Sequence, residues 1–288
     1  MPPPPASGSA KRRKNQYVGN GKRGKYAGLA LKPNLQGCLI TCSPMHEGKA
    51  LADARNLLAE LIDSATAAEA ASSSTTADSD TLTVEDELKA ELDALQASRR
   101  PDGKPSGPAA SLQQMHIDVK GVMFLALEQD PTPLVIKIAE QCRTTGVAPS
   151  RVIERLLPVQ RTCEASIEAI SACLKSLLPN TPLAVGQPPT TYAIDLKRRF
   201  NQKLDRDALI HALAAIEELQ PHKADLTTPS VTVVIELIKH VAGVSILAGY
   251  RSTFRRYNLR EIVKASFPDQ PAKQQEPEAP IAADEDAS

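Results

Sequence analysis

TYAIDLKRRFNQKLDRDALIHALAAI, residues 191 to 216, decides the fold. Tyr192, Ile194 and Leu196 alternate with Ala193, Asp195 and Lys197, the period of a strand with one buried face. Lys197, Arg198 and Arg199 then arrive together, just before Phe200. A polar loop follows. Asp205 offers a side-chain cap to a helix on which Leu209, Ala212, Leu213, Ile216 and Leu219 share one face. The three cations at the turn pose the functional question. They are either a solvated strand border that resists aggregation or a grip on something anionic.

Outward from this stretch, strands and helices keep alternating. Downstream, "HKADL" reads as short and extended. "VTVVIELIKHVAGVSILAG" is dense in β-branched residues and predicts two strands meeting near His240 to Gly243. "YNLREIVKAS" closes with a short helix. Upstream, "GCLITCS" and "GVMFLALE" predict strands, and "RVIERLLPVQRTC" predicts another, stopped or bulged at Pro158. "HEGKALADARNLLAELID", "DPTPLVIKIAEQCRTTG" and "EASIEAISACLKSLLP" predict helices, the second with prolines in its first turn, where they are tolerated. The pattern is that of an α/β or α+β chain of two small modules in tandem. The expected division is a basic disordered tail over 1–35, a first module over 36–180 and a second over 181–265. An insertion over 64–111 and an acidic tail over 266–288 complete it. The insertion is rich in Ser, Thr, Ala and acids, with one exposed helix expected over "TVEDELKAELDALQAS". A surface insertion costs little in chain-closure entropy.

The chain carries 34 basic and 34 acidic residues, so net charge predicts no partner. Distribution says more. Lys11, Arg12, Arg13, Lys14, Lys22, Arg23, Lys25 and Lys32 occupy a head without acids, while Asp269, Glu276, Glu278, Asp284, Glu285 and Asp286 face only Lys273 in the tail. This polarity is common in proteins that handle nucleic acid. The run from Lys11 to Lys14 has the character of a nuclear import signal or of a basic arm on RNA phosphates. Five cysteines, Cys38, Cys42, Cys142, Cys163 and Cys173, make no disulfide framework and read as reduced, buried thiols. No apolar run approaches the ~18 residues of a membrane span.

The search for catalytic chemistry returns little. Cys38, Cys42 and His46 are the nearest approach to a metal cluster, and they lack a second ligand pair. Gly19 to Gly24 satisfies G-x-G-x-x-G but follows no strand and opens no helix. No nucleophile elbow, phosphate-binding loop or zinc-deaminase signature occurs. No cofactor and no small-molecule substrate are therefore expected. The search for binding chemistry does better. Lys197, Arg198, Arg199, Lys203 and Arg206 gather at one strand-to-helix turn. Arg251, Arg255, Arg256 and Arg260 form a second group, interleaved with Tyr250, Phe254 and Tyr257. Arginine's planar fork suits phosphate. If the two groups meet, they line a surface for a nucleic-acid backbone. Aromatics make up only 3% of the chain and Trp is absent, which disfavours a platform for several stacked bases. Asp195, Asp225 and Glu261 are candidates to hold some of these arginines as structural partners.

The residues carry a resemblance. The stretch over 191–216, "HKADLTTPSVTVVIELIKHVAGVSIL" and "FRRYNLREI" together resemble a THUMP domain. More narrowly, they resemble the stand-alone THUMP proteins that assist tRNA cytidine acetylation in eukaryotes. "GCLITCSPMHEGKALADARNLLAELID" and "ERLLPVQRTCEAS" are similar to that family's amino-terminal ferredoxin-like module. Ala224 stands where the family more often carries a larger aliphatic residue, a packing change. The resemblance implies an α+β chain in which a ferredoxin-like module precedes a THUMP domain. It implies binding of tRNA at the acceptor stem and 3′ end. It further implies an accessory role beside a separate RNA cytidine acetyltransferase that forms N4-acetylcytidine in serine and leucine tRNAs, with a nuclear or nucleolar, and also cytoplasmic, location. The nine cations of the two groups are then the expected RNA contacts. An RNA-modifying enzyme with an unrecognised site, and a pure protein scaffold, are the competing classes.

Overall fold

The computed structural model describes residues 30–73 and 112–268. The first unit runs strand, helix, strand, strand, helix, strand. These are β1 (Gln36–Cys42), α1 (Glu47–Ser73), β2 (Gln113–Met115), β3 (Val122–Leu127), α2 (Pro131–Thr145) and β4 (Ile153–Val159). Its sheet has the order β2-β3-β1-β4, with every pair antiparallel. That connection and order are the ferredoxin-like arrangement. α2 begins where the Asp130 carboxylate accepts the Thr132 N–H at 2.9 Å. It ends at Gly146, whose left-handed φ of 68° returns the backbone N–H to the Cys142 carbonyl.

The second unit holds β5 (Arg161–Glu164), α3 (Ile167–Leu177), β6 (Thr191–Arg199), α4 (Arg206–Ala214), β7 (Lys223–Ala224), β8 (Val231–Ile238) and β9 (Val241–Ala248), after which α5 (Leu259–Ser266) returns to pack in the core of the first unit. Its strands lie in the order β5-β9-β8-β6-β7. β6 runs parallel to β7 and β8, while β9 is antiparallel to β8 and β5. Asp205 caps α4 as the sequence predicts, accepting the Asp207 N–H at 3.1 Å.

Side-chain alternation gives this mixed sheet two different faces. On one, Tyr192, Leu196, Val233, Ile235, Leu237, Val244 and Ile246 pack with α3 and α4 in a core of their own. On the other, Val234, Ile238, Val241 and Leu247 join the core of the first unit. All of β8 is therefore buried, which explains its near-continuous apolar run. Direct bonds cross the seam. Ser245 donates its hydroxyl to the Pro158 carbonyl at 2.8 Å, and Gln160 Oε1 accepts the Ile246 N–H at 2.8 Å. Gly243 allows the close approach: a Cβ there would lie 3.0 Å from Val159 Cγ1.

Three expectations shift. "RVIERLLPVQRTC" is not one strand but β4 and β5, which belong to different sheets and part at Gln160. Pro158 is accommodated inside β4 because β4 is an edge strand of its sheet. The change of sheet thus falls ahead of the 180/181 boundary, which rested on Pro179 and the linker-like composition after it. The basic tail drawn to residue 35 ends earlier. Leu31 is buried, its N–H meets the His116 carbonyl at 3.1 Å, and the Leu35 carbonyl accepts the Thr162 N–H while the Leu35 N–H donates to the Thr162 hydroxyl. Likewise, α1 continues to Ser73, past the expected start of the insertion. The run from Lys11 to Lys14, the glycine pattern from Gly19, the helix expected over 83–98 and residues 269–288 of the acidic tail lie outside the described residues.

Candidate nucleic-acid interface

The period of two splits the three cations of β6. Lys197 and Arg199 point to the face shared with the first unit. Arg198 points to the helical face, where its guanidinium donates to the Leu204 carbonyl at 3.3 Å. Register sets Lys197 beside Glu236 on β8. Glu236 is only 2% exposed. A buried carboxylate persists only when it is paired, and this one has two partners. Arg199 Nε lies 3.2 Å from one oxygen, and Arg155 Nη1, arriving from β4 of the other sheet, lies 3.2 Å from the second. Arg155 also donates from Nη2 to the Tyr250 hydroxyl at 2.8 Å and from Nε to the Arg256 carbonyl at 2.9 Å. One guanidinium thus ties the two sheets to the segment after β9.

Lys197 reaches solvent beside this hub. Partial desolvation, then the charges of Arg199 and Arg155, hold its amine below the usual range, while Glu236 and Asp195 pull the other way. Lys197 thus stands beside two cations that already engage the buried carboxylate, and an arriving anion would relieve their mutual repulsion.

The second predicted group approaches β6 through Asp195, which shares a face of that strand with Lys197 and Arg199. Arg251 Nη2 and Arg256 Nε approach its Oδ2 at 3.8 and 3.9 Å. Arg251 also donates to the Leu226 carbonyl at 2.6 Å, and Arg260 donates to the Arg151 carbonyl. Asp225 holds no arginine. It accepts the Thr227 and Thr228 N–H groups at 2.8 and 3.0 Å, and those bonds keep its carboxyl below the usual range. The interleaved aromatics turn inward. Phe254 and Tyr257 stack with centroids 5.1 Å apart, and Tyr250 lies 6.2 Å from Tyr257. Arg255, Arg256 and Tyr257 take φ values of 45°, 57° and 57°, a left-handed run that buries the Tyr257 ring while its two neighbours face solvent.

Among the described residues, Lys197, Lys203, Arg206 and Arg255 make no ion pair and are exposed. The alternative of a charged border has a structural basis as well, because β7 pairs with β6 only at Thr191 and Tyr192. Beyond Tyr192 the outer side of β6 is open.

An open groove of about 610 Å³ lies at the end of β6. Val119 and Lys120 of the first unit form one wall, and Arg198, Arg199, Phe200, Asn201 and Gln202 form the other. Sequence reasoning missed Lys120 and Arg155, which only the packing of the two sheets brings to β6. Glu236 did carry a signal: a lone acid inside an eight-residue buried strand demands cationic partners. Cys38, Cys42, Cys142, Cys163 and Cys173 are all free and buried. No group of metal-ligating side chains occurs among the described residues, and none of their helices is long and apolar enough to cross a membrane.

Against known proteins, the profile of the THUMP domain matches residues 164–247. THUMP domain-containing protein 1 of Mus musculus is 33% identical over 282 residues, which is 93% of this chain and 77% of that protein. The Bos taurus protein of the same name is 32% identical over 276 residues, 91% of this chain and 74% of that one. A solution structure of the THUMP domain of THUMP domain-containing protein 1 is 30% identical over 27% of this chain and 81% of its own, with a TM-score of 0.24.

Proposed function

The chain belongs to the THUMP domain-containing proteins, and from that premise we propose that it is a non-catalytic tRNA-binding adaptor. It presents tRNA, in the family's manner serine and leucine tRNAs, to a separate RNA cytidine acetyltransferase for N4-acetylcytidine formation. The acceptor stem and 3′ end are the parts it holds. The observation that carries this reading is the set of outward cations at the end of β6. Lys197, Arg198, Lys203 and Arg206 are exposed there and lie within the matched THUMP stretch.

These residues meet the needs of a phosphate backbone. Their charge is not cancelled by carboxylates, and the hub beneath fixes where it stands. Arg199 serves differently from its neighbours: it neutralises Glu236 and positions the strand. Arg255 and Arg256 extend the surface, while Arg251 and Arg260 are tied to carbonyls and brace the fold. The family and the basic run from Lys11 to Lys14 support a nuclear or nucleolar location.

The test is tRNA binding across a salt series, with Lys197, Arg198 and Lys203 replaced together by alanine. Arg199 is left intact so that Glu236 keeps both partners. Loss of two to three phosphate contacts should flatten the plot of log affinity against log salt by about 2. The wild-type chain should raise acetylation of tRNA by an RNA acetyltransferase and should acetylate nothing alone. Unchanged affinity and slope in the triple variant would refute the assignment to β6.

A further inference from the structure

Resting on the tRNA-binding reading, we infer that Phe200 and the groove beside it form a seat for one unpaired nucleotide of the bound RNA. The base stacks on the Phe200 ring, and Lys120 and Arg198 take the flanking phosphates.

Phe200 is 76% exposed, whereas Phe124 and Phe254 are buried. It also stands at a φ of 57°. For a bulky side chain the left-handed region is strained, and glycine or asparagine would occupy this turn more easily. An exposed ring held in a strained turn contributes nothing to the core, so packing does not explain it. Strain of this kind gathers at functional sites.

The turn is pinned on both sides of the ring. The Arg199 carbonyl accepts the Lys239 N–H at 3.0 Å. The Asn201 amide donates to the Lys239 carbonyl at 2.6 Å, while its Oδ1 accepts the Lys203 and Leu204 N–H groups at 3.1 and 3.2 Å. Lys239 in turn joins Asp118 at 2.7 Å, two residues before Lys120. The opposite walls are therefore tied together, and the ring is set in place before any ligand arrives.

The lining identifies the ligand. Lys120, Arg198 and Arg199 are cationic, no acid lines the groove, and Val119 is the one aliphatic wall. That charge suits a phosphate better than an apolar protein surface. The volume of about 610 Å³ is of the size that holds a small organic ligand. Stacking on an aromatic ring accepts every base. Since the Asn201 amide is committed to the backbone, Gln202 is the amide left to meet a base edge. Duplex RNA keeps its bases stacked and out of reach, so the seat distinguishes unpaired from paired nucleotides.

The experiment titrates an RNA hairpin with a blunt end against the same hairpin carrying two unpaired nucleotides at one end. Wild type, Phe200→Gly and Phe200→Tyr are compared. Phe200→Gly removes the ring and relieves the φ strain, so folding is not at stake; its thermal stability is measured alongside. Wild type should prefer the overhang. Phe200→Gly should bind the blunt hairpin as wild type does but lose about tenfold on the overhang, and Phe200→Tyr should keep the preference. A wild-type chain without preference, or a Phe200→Gly variant that retains it, overturns the seat and leaves the ring to a protein partner. In either case the tRNA-binding reading stands. A wild-type chain that binds neither hairpin sinks that reading and the seat with it.

Discussion

The end of β6 and the segment from Tyr250 to Arg260 are alike as sequence, each a cluster of cations with aromatic company. Folding treats them in opposite ways. The 250–260 segment turns its rings inward, and Arg251 and Arg260 are held by backbone carbonyls. The end of β6 sends Arg199 to a buried acid but leaves Lys197, Arg198, Lys203 and Phe200 facing out. Charge density in a sequence therefore does not measure charge available to a ligand. What decides is whether the fold turns each cation toward a partner of its own or out to solvent, and Arg198, exposed yet bonded to the Leu204 carbonyl, stands between the two.

The sharpest way to break this comparison is Arg155→Ala. Arg155 is bonded to both regions, and its loss leaves Glu236 buried with one cation and the Tyr250 hydroxyl without its donor. Breaking a buried pair in this way costs about 3 kcal/mol. Urea unfolding should show that loss, while RNA affinity per folded molecule stays within about threefold of wild type, since Arg155 is not itself a proposed contact. A tenfold drop in binding by the folded variant would mean that the hub belongs to the interface.

A smaller effect separates two tyrosines that burial alone makes equivalent. Burial raises both phenols, Tyr250 to about 12. The Tyr250 hydroxyl accepts from Arg155, but the Tyr257 hydroxyl has no hydrogen-bond partner among the described residues. Removing a satisfied hydroxyl costs about 1 kcal/mol, whereas removing an unsatisfied one is neutral or favourable. Tyr250→Phe should therefore lower the unfolding midpoint, and Tyr257→Phe should leave it unchanged or raise it. Equal losses in the two variants would show that the Tyr257 hydroxyl is satisfied in solution.

Legibility followed the same physical line. Periodicity predicted β6, α4, β8 and β9 because each buries one or both faces within short range. It left open whether the two cation groups meet; the fold brings Arg251 and Arg256 to Asp195 of β6. The parting of β4 from β5 at Gln160 was not legible, since the apolar residues on both sides are equally suited to either sheet. Nor was Lys120: "HIDVKG" has no pattern, and its place beside Arg198 depends on how the two sheets pack. Leu31 and Leu35 were lost in the opposite way, as lone apolar residues at the end of a basic stretch. Alternation could have separated Arg198 from its neighbours in advance, but only the buried Glu236 tells which of the others is already engaged.

The smallest effect tests that engagement directly at Lys197. Its amine lies below the ordinary 10.5 because of desolvation and its arginine neighbours. In the native chain the proton is thus held less tightly than in the unfolded chain. Where the unfolded state binds more protons, stability rises with pH. The charge therefore costs stability at neutral pH, and the cost is lifted as pH climbs through the lowered folded value toward 10.5. Lys197→Met removes that cost and keeps the side-chain stem. It should be more stable than wild type at pH 7 by no more than about 0.5 kcal/mol, as expected of an exposed position. The gap should narrow as pH rises toward 10, and tRNA should bind more weakly throughout the range where wild-type Lys197 is charged. A variant less stable than wild type at pH 7 would mean that Lys197 is attached to Glu236 as Arg199 is, and that the outward set at β6 begins at Arg198.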